Sequence, residues 1–166
     1  MKNQYEYTIN STDDIRRALS EAEREGYELT HYNSAFYLRG TAGEPISVDD
    51  SLANLHVVAY GPAPVWVSGR GETTVIAEES AVVYAIASGI VDAYDSSTVY
   101  TYDRAQAVVQ MEASVYVASD DVNVEAWGSS KVYLPSDGVE GSRAFVRLEE
   151  DAKIIRGVDV SMGLTN

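Results

Sequence analysis

The chain has 166 residues, with 12 Lys and Arg against 26 Asp and Glu, a formal net charge of -14. That balance disfavours direct binding to phosphate backbones or anionic membranes and favours a basic partner. Cysteine is absent, which excludes disulfides, thiolate metal sites and thiol catalysis.

The length is enough for one domain with a core. The opening residues MKNQYEYTIN carry no signal-like apolar stretch, and no apolar run approaches a membrane span, so a cytoplasmic protein is expected. Tyrosine is in excess, 12 against two Phe. That suggests outward-facing rings whose hydroxyls stay wet.

In chain order, YEYTI alternates and predicts a strand. STDDIRRALSEAEREGY then predicts a helix. Ser11 or Thr12 can cap it, and Asp13 and Asp14 suit its positive end. Ile15, Leu19 and Ala22 share a face, and Gly26 fits the stop. YELTHYNSAFYLRG resumes extended structure, so residues 1–40 are expected to form a strand-helix-strand cap. Residues 41–56 are expected to be a transition, with Pro45 and Asp49-Asp50 as turn signals.

From Val57 the chain nearly repeats itself. Small residues recur at Val57, Val65, Val75, Val83, Val91, Val99, Ala107, Val115, Val124 and Val132, mostly eight apart. Two residues on, each unit is again small, as in Ala59, Val67, Ala77, Ala85 and Ala93. Between them lie polar or aromatic residues, the period of a strand with one buried face. Each unit closes on turn residues, as in YDSS, YDRA, ASDD, WGSS and PSDG. Trp66, Tyr84, Tyr100, Tyr116 and Tyr133 mark alternate units, so neighbouring units belong to different faces. Two units then close one coil of about 16 residues, with strands stacking in parallel about 4.8 Å apart. The fold class expected is a mainly β, two-sheet parallel solenoid over residues 57–137. An antiparallel meander of short hairpins is the alternative. Residues 138–166 are expected to form a strand cap or interaction segment, with Arg143, Arg147, Lys153 and Arg156.

The units AYDSSTVY, ASGIVDAYDSS and AWGSSKVY resemble the octapeptide of bacterial ice-nucleation repeats, doubled to a sixteen-residue coil, over about residues 57–137. The resemblance implies a solenoid. It does not imply ice binding, because Thr73, Thr98 and Thr101 form no Thr-x-Thr ladder.

Catalytic signals are weak. His31 and His56 have no nucleophile or paired carboxylate at a recognisable spacing and read as surface or capping residues. DDVNVEAWG starts like a calcium loop, but Ala126 stands at the glycine position and Val132 at the glutamate position. GRGETT lacks the Lys-Ser or Lys-Thr of a phosphate loop. No enzyme activity, metal or cofactor is expected. Residues 90–137 carry a net charge of -6. Over three coils that is roughly one charge per 2.4 Å, against about 1.7 Å in duplex DNA.

The leading expectation is therefore an interaction protein that imitates polyanion and blocks a basic, nucleic-acid-binding protein. An anti-CRISPR or anti-restriction factor from a phage is its concrete form. Asp92, Asp95, Asp103, Asp120, Asp121 and Glu125 would make that contact. The alternative is a self-associating scaffold or homodimer, remotely of ice-binding type, assembled through Trp66, Tyr84, Tyr100, Tyr102, Tyr116 and Tyr133.

Overall fold

A computed structural model of the chain describes residues 4–119, 121–135 and 144–157. Asp120, Asp137, Arg143 and the expected terminal segments 138–143 and 158–166 lie outside the described residues. The elements are β1 (Tyr5–Ile9), α1 (Thr12–Glu25), β2 (Ser34–Leu38), β3 (Ile46–Val48), β4 (His56–Ala59), β5 (Val65–Val67), β6 (Thr74–Ala77) and β7 (Val82–Ala85). They continue as β8 (Ile90–Ala93), β9 (Thr98–Thr101), β10 (Gln106–Val109), β11 (Ser114–Val117), β12 (Asn123–Ala126), β13 (Lys131–Leu134), β14 (Phe145–Leu148) and β15 (Lys153–Arg156).

Successive strands alternate between two sheets. Sheet A runs β1-β2-β4-β6-β8-β10-β12-β14, and sheet B runs β3-β5-β7-β9-β11-β13-β15. Every strand pairing recorded within them is parallel, which excludes the antiparallel meander. The fold is a two-sheet parallel β-solenoid.

The repeat explains the packing. Val57, Val75, Val91, Ala107 and Val124 stack in one inward column of sheet A, and Val65, Val83, Val99, Val115 and Val132 in its counterpart in sheet B. All ten are buried. Small β-branched and Ala side chains let the sheets lie close, and each strand buries alternate residues. Coil length is 16 residues in the centre, where Val83 pairs with Val99 and Val99 with Val115. It rises to 22 between Val132 and Ile154. Where the connections are described, as at 68–73, the extra residues enter at turns, which leaves the inward columns in register.

The stack is longer than the octads. β2 already pairs with β4, and β3 with β5, so coils begin before Val57. At the other end β14 and β15 continue both sheets. There Phe145 is 59% exposed and Leu148 37%.

At the N-terminal end, α1 closes sheet B. The Ser11 hydroxyl accepts from the Asp14 N–H at 3.2 Å, and Gly26 ends the helix at φ 72°. Ile15, Ala18 and Ala22 are its buried face. The Thr12 hydroxyl accepts from the backbone N–H of Ser47 at 2.9 Å, so the helix start sits on the outer edge of β3. An edge strand left bare invites pairing with another chain. Here the helix blocks it.

Candidate functional site

The structure sorts the acids onto separate surfaces. Each coil has one turn leading from sheet A to sheet B and one leading back. The six A-to-B turns from 60–64 to 149–152 hold Glu78, Glu79, Asp95, Glu112, Glu149, Glu150 and Asp151, and no Lys, Arg or His. These turns lie directly over one another. The Ser96 N–H donates to the Glu79 carbonyl at 3.0 Å, and the Glu112 N–H to the Asp95 carbonyl at 3.1 Å. From Glu78 to Asp151 the edge spans four coil steps, about 19 Å, and its seven acids fall two, one, one, none and three on the five successive turns, a mean density of roughly one per 2.7 Å. Phosphates along one strand of DNA recur about every 3.4 Å.

Aromatic and apolar groups are interleaved with these acids. Tyr60, Tyr94 and Trp127 occupy the first turn position of their coils and are half-buried; Met111 is 57% exposed. Arg147 projects from neighbouring β14, its guanidinium carbon 5.9 Å from the Trp127 ring centre. It is paired with Glu149 at 2.8 Å.

The six acids singled out from sequence do not share one surface. Asp95 is on the acidic edge. Asp103 and Asp121 are on the opposite edge, which also carries Arg70 and Arg104. Asp92 and Glu125 face outward from sheet A, and Glu125 lies beside Arg147 in the strand register. Asp120 is outside the described residues.

Two of the six also hold the coil together. Asp95 sits at φ 54° and its carboxylate accepts from the Glu79 N–H, one coil back, at 3.1 Å. Asp103 does the same for Ala87 at 3.2 Å. Asp tolerates this left-handed conformation better than most residues. Glu150 repeats the device, accepting from the Gly128 N–H at 2.9 Å.

Five of the six expected aromatics form a continuous ladder on the outer face of sheet B. Ring centres are 5.0 Å apart for Trp66–Tyr84 and Tyr84–Tyr100, 4.9 Å for Tyr100–Tyr116 and 4.4 Å for Tyr116–Tyr133. Partial burial raises the pKa of Tyr84, Tyr100 and Tyr116 above the usual phenol value. Tyr102 stands apart in the turn after β9. It is only 9% exposed, burial raises its pKa, and its hydroxyl is buried with no hydrogen-bond partner among the described residues.

Sequence reasoning also missed a cleft of about 640 Å³ on sheet A, lined by His31, Tyr32, His56, Glu72, Ile76 and Asp92. The histidine rings meet edge to face at 5.6 Å. Burial, then the neighbouring His31, lowers the His56 pKa; Glu78 opposes the shift. Burial raises the Asp92 pKa. Among the described residues no three His, Asp or Glu side chains are grouped to hold a metal ion.

Comparisons with protein-family models, curated proteins and solved structures find no match to the chain.

Proposed function

We propose that this chain is a non-enzymatic interaction protein whose A-to-B edge imitates a strand of polyanion and occupies the basic groove of a nucleic-acid-binding protein. The observation that carries the reading is the edge itself: seven carboxylate residues on stacked turns, with no basic residue among them. Their mean linear density is near that of phosphates along one strand, and the solenoid backbone holds the turns that carry them, so the charges need little ordering on binding. Tyr60, Tyr94 and Trp127 add the aromatic anchors common at protein interfaces. An inhibitor of a defence nuclease, anti-CRISPR or anti-restriction in kind, is the specific form proposed.

The test is neutralisation of the edge by Glu78→Gln, Glu79→Gln, Asp95→Asn, Glu112→Gln, Glu149→Gln and Glu150→Gln together. The immobilised wild type is exposed to the heparin-binding fraction of a cell lysate and washed with rising salt. Retained proteins should be nucleic-acid binders that elute as salt rises and that the neutralised chain does not hold. A bound set unchanged by neutralisation would overturn the reading.

A second reading has its own support. The aromatic ladder is an unbroken, outward apolar strip, and we propose that it pairs with a second copy of the chain if the acidic edge is not the working surface.

A further inference from the structure

Where the first coils meet the acidic edge, Tyr37, Val58, Tyr60, Glu78 and Glu79 line a groove of about 310 Å³. The two tyrosine rings stand nearly perpendicular, at 81°, with centres 6.0 Å apart. Two walls are thus aromatic and a third carries two exposed carboxylate residues. Among the described residues neither Glu78 nor Glu79 has an ion pair. That combination is complementary to a cation with a flat face, since aromatic rings attract cations and carboxylates accept their N–H groups. The volume is at the low end for ligand pockets, about 300 Å³ and upward, and suits one long side chain.

The same fold displays the filled version of this site. Near the far end, Trp127 follows β12, Glu149 follows β14, and Arg147 of β14 lies between them. In the groove, Tyr60 follows β4 and Glu78 follows β6, the next strand of sheet A. The strand position that Arg147 occupies in β14 is held in β6 by Ile76. Ring and carboxylate recur, the internal guanidinium does not, and Tyr37 supplies a second ring.

We infer that the Tyr37–Tyr60–Glu78–Glu79 groove seats an arginine side chain of the basic partner, an inference that rests on the polyanion reading. The guanidinium stacks on the Tyr60 ring and donates its forked N–H groups to Glu78 and Glu79. Arginine fits better than lysine, because a planar fork serves ring and carboxylates together.

The probe is acetyl-arginine amide, titrated into the whole protein while the ring resonances of Tyr37 and Tyr60 are followed by NMR. Both should shift saturably. Acetyl-citrulline amide, the neutral isostere, should leave them in place, and acetyl-lysine amide should bind about five-fold more weakly. Glu78→Gln with Glu79→Gln should weaken arginine binding by about ten-fold. Ile76→Arg should fill the groove from within and abolish it. Equal shifts with citrulline, or undiminished binding to the Ile76→Arg chain, would overturn the inference. Amide spectra of each variant show whether the solenoid is intact, and Ile76→Leu serves as a fold control that should bind as the wild type does. If the arginine probe fails while basic proteins still bind the edge in a charge-dependent way, the groove inference falls and the polyanion reading stands. If the probe binds as expected but neutralising the edge leaves the bound proteins unchanged, the polyanion reading falls instead.

Discussion

Asp95 makes a sharp test of how a turn acid serves both fold and charge. Its carboxylate accepts from the Glu79 N–H at 3.1 Å, and its backbone holds φ 54°. Replacement by Ala removes the acceptor, a loss of about 0.5–1.5 kcal/mol, nearer the lower figure at an exposed turn. It also places a residue with no polar group in the left-handed region, at a further cost of about 1 kcal/mol. The expected loss for Asp95→Ala is therefore about 1.5 kcal/mol. Asp95→Gly relieves the conformation but not the lost acceptor and should fall by about 1 kcal/mol. Asp95→Asn keeps both, because its side-chain oxygen can accept and Asn tolerates this φ, so stability should stay within about 0.5 kcal/mol. Urea unfolding followed by far-UV circular dichroism reads all three. Ala as stable as Asn would refute the capping role, and Asn as damaging as Ala would show that the charge rather than the acceptor matters. The order Asn, Gly, Ala also means that Asn removes a charge from the edge without loosening it.

Two more predictions use the same material. Tyr100→Ser with Tyr116→Ser breaks three ring contacts and should lower stability by about 1.5–4.5 kcal/mol in a thermal or urea transition; unchanged stability would mean that the stacked rings contribute nothing to the coil. In light scattering, the self-association reading requires a dimer mass for the wild type and a monomer mass for this variant, and equal masses reject it. Asp92 concerns pH. Its folded pKa is raised by burial, so over the window from the ordinary Asp value up to that raised value the folded state binds more protons, and stability falls as pH rises. Asp92→Asn should be more stable than the wild type at pH 7 and flatten that fall, and a variant less stable at pH 7 would contradict the assignment.

Much of the coil was legible because one physical constraint repeats. A thin interior admits only small residues, so the valines and alanines of the inward columns recur at the coil length. Outward rings such as Tyr84, Tyr100 and Tyr116 need the same spacing to stack. The start of the stack was not legible. Phe36 and Val57, partners in the inward column, are 21 residues apart, since the connections after β2 and β3 interrupt the octads. Those turns break the spacing without breaking the register. The acidic edge was hidden for a different reason. Along the chain the acids of the two edges alternate, whereas the fold separates alternate turns onto opposite edges. The alternation that places the aromatics on one sheet also separates Glu78, Asp95 and Glu112 from Asp103 and Asp121. The meeting of His31 with His56 had no local signal. It depends on a loop before β2 reaching the start of β4.

Segregation of charge argues against solubility as the whole reason for the acidity. Solubility is served by acids dispersed over every surface, with both signs mixed. Here the six A-to-B turns from 60–64 onward hold seven acids and no basic residue, with Arg39 in the connection before them, while the opposite edge includes Arg70 and Arg104, and Arg147 lies against Trp127. Neighbouring charges about 5 Å apart fall within the Debye length of about 8 Å at physiological salt, so they repel. Asp95 and Glu150 offset some of that by accepting from the turn N–H groups one coil back, at 3.1 and 2.9 Å. Among the described residues the carboxylates of Glu78, Glu79 and Glu112 accept no hydrogen bond. On the proposed reading, a cationic partner on the edge would relieve their repulsion. If the proposed function holds, a fold that gathers like charges on stacked turns, and caps only some of them, would gain most from a ligand carrying the opposite charges along the same edge.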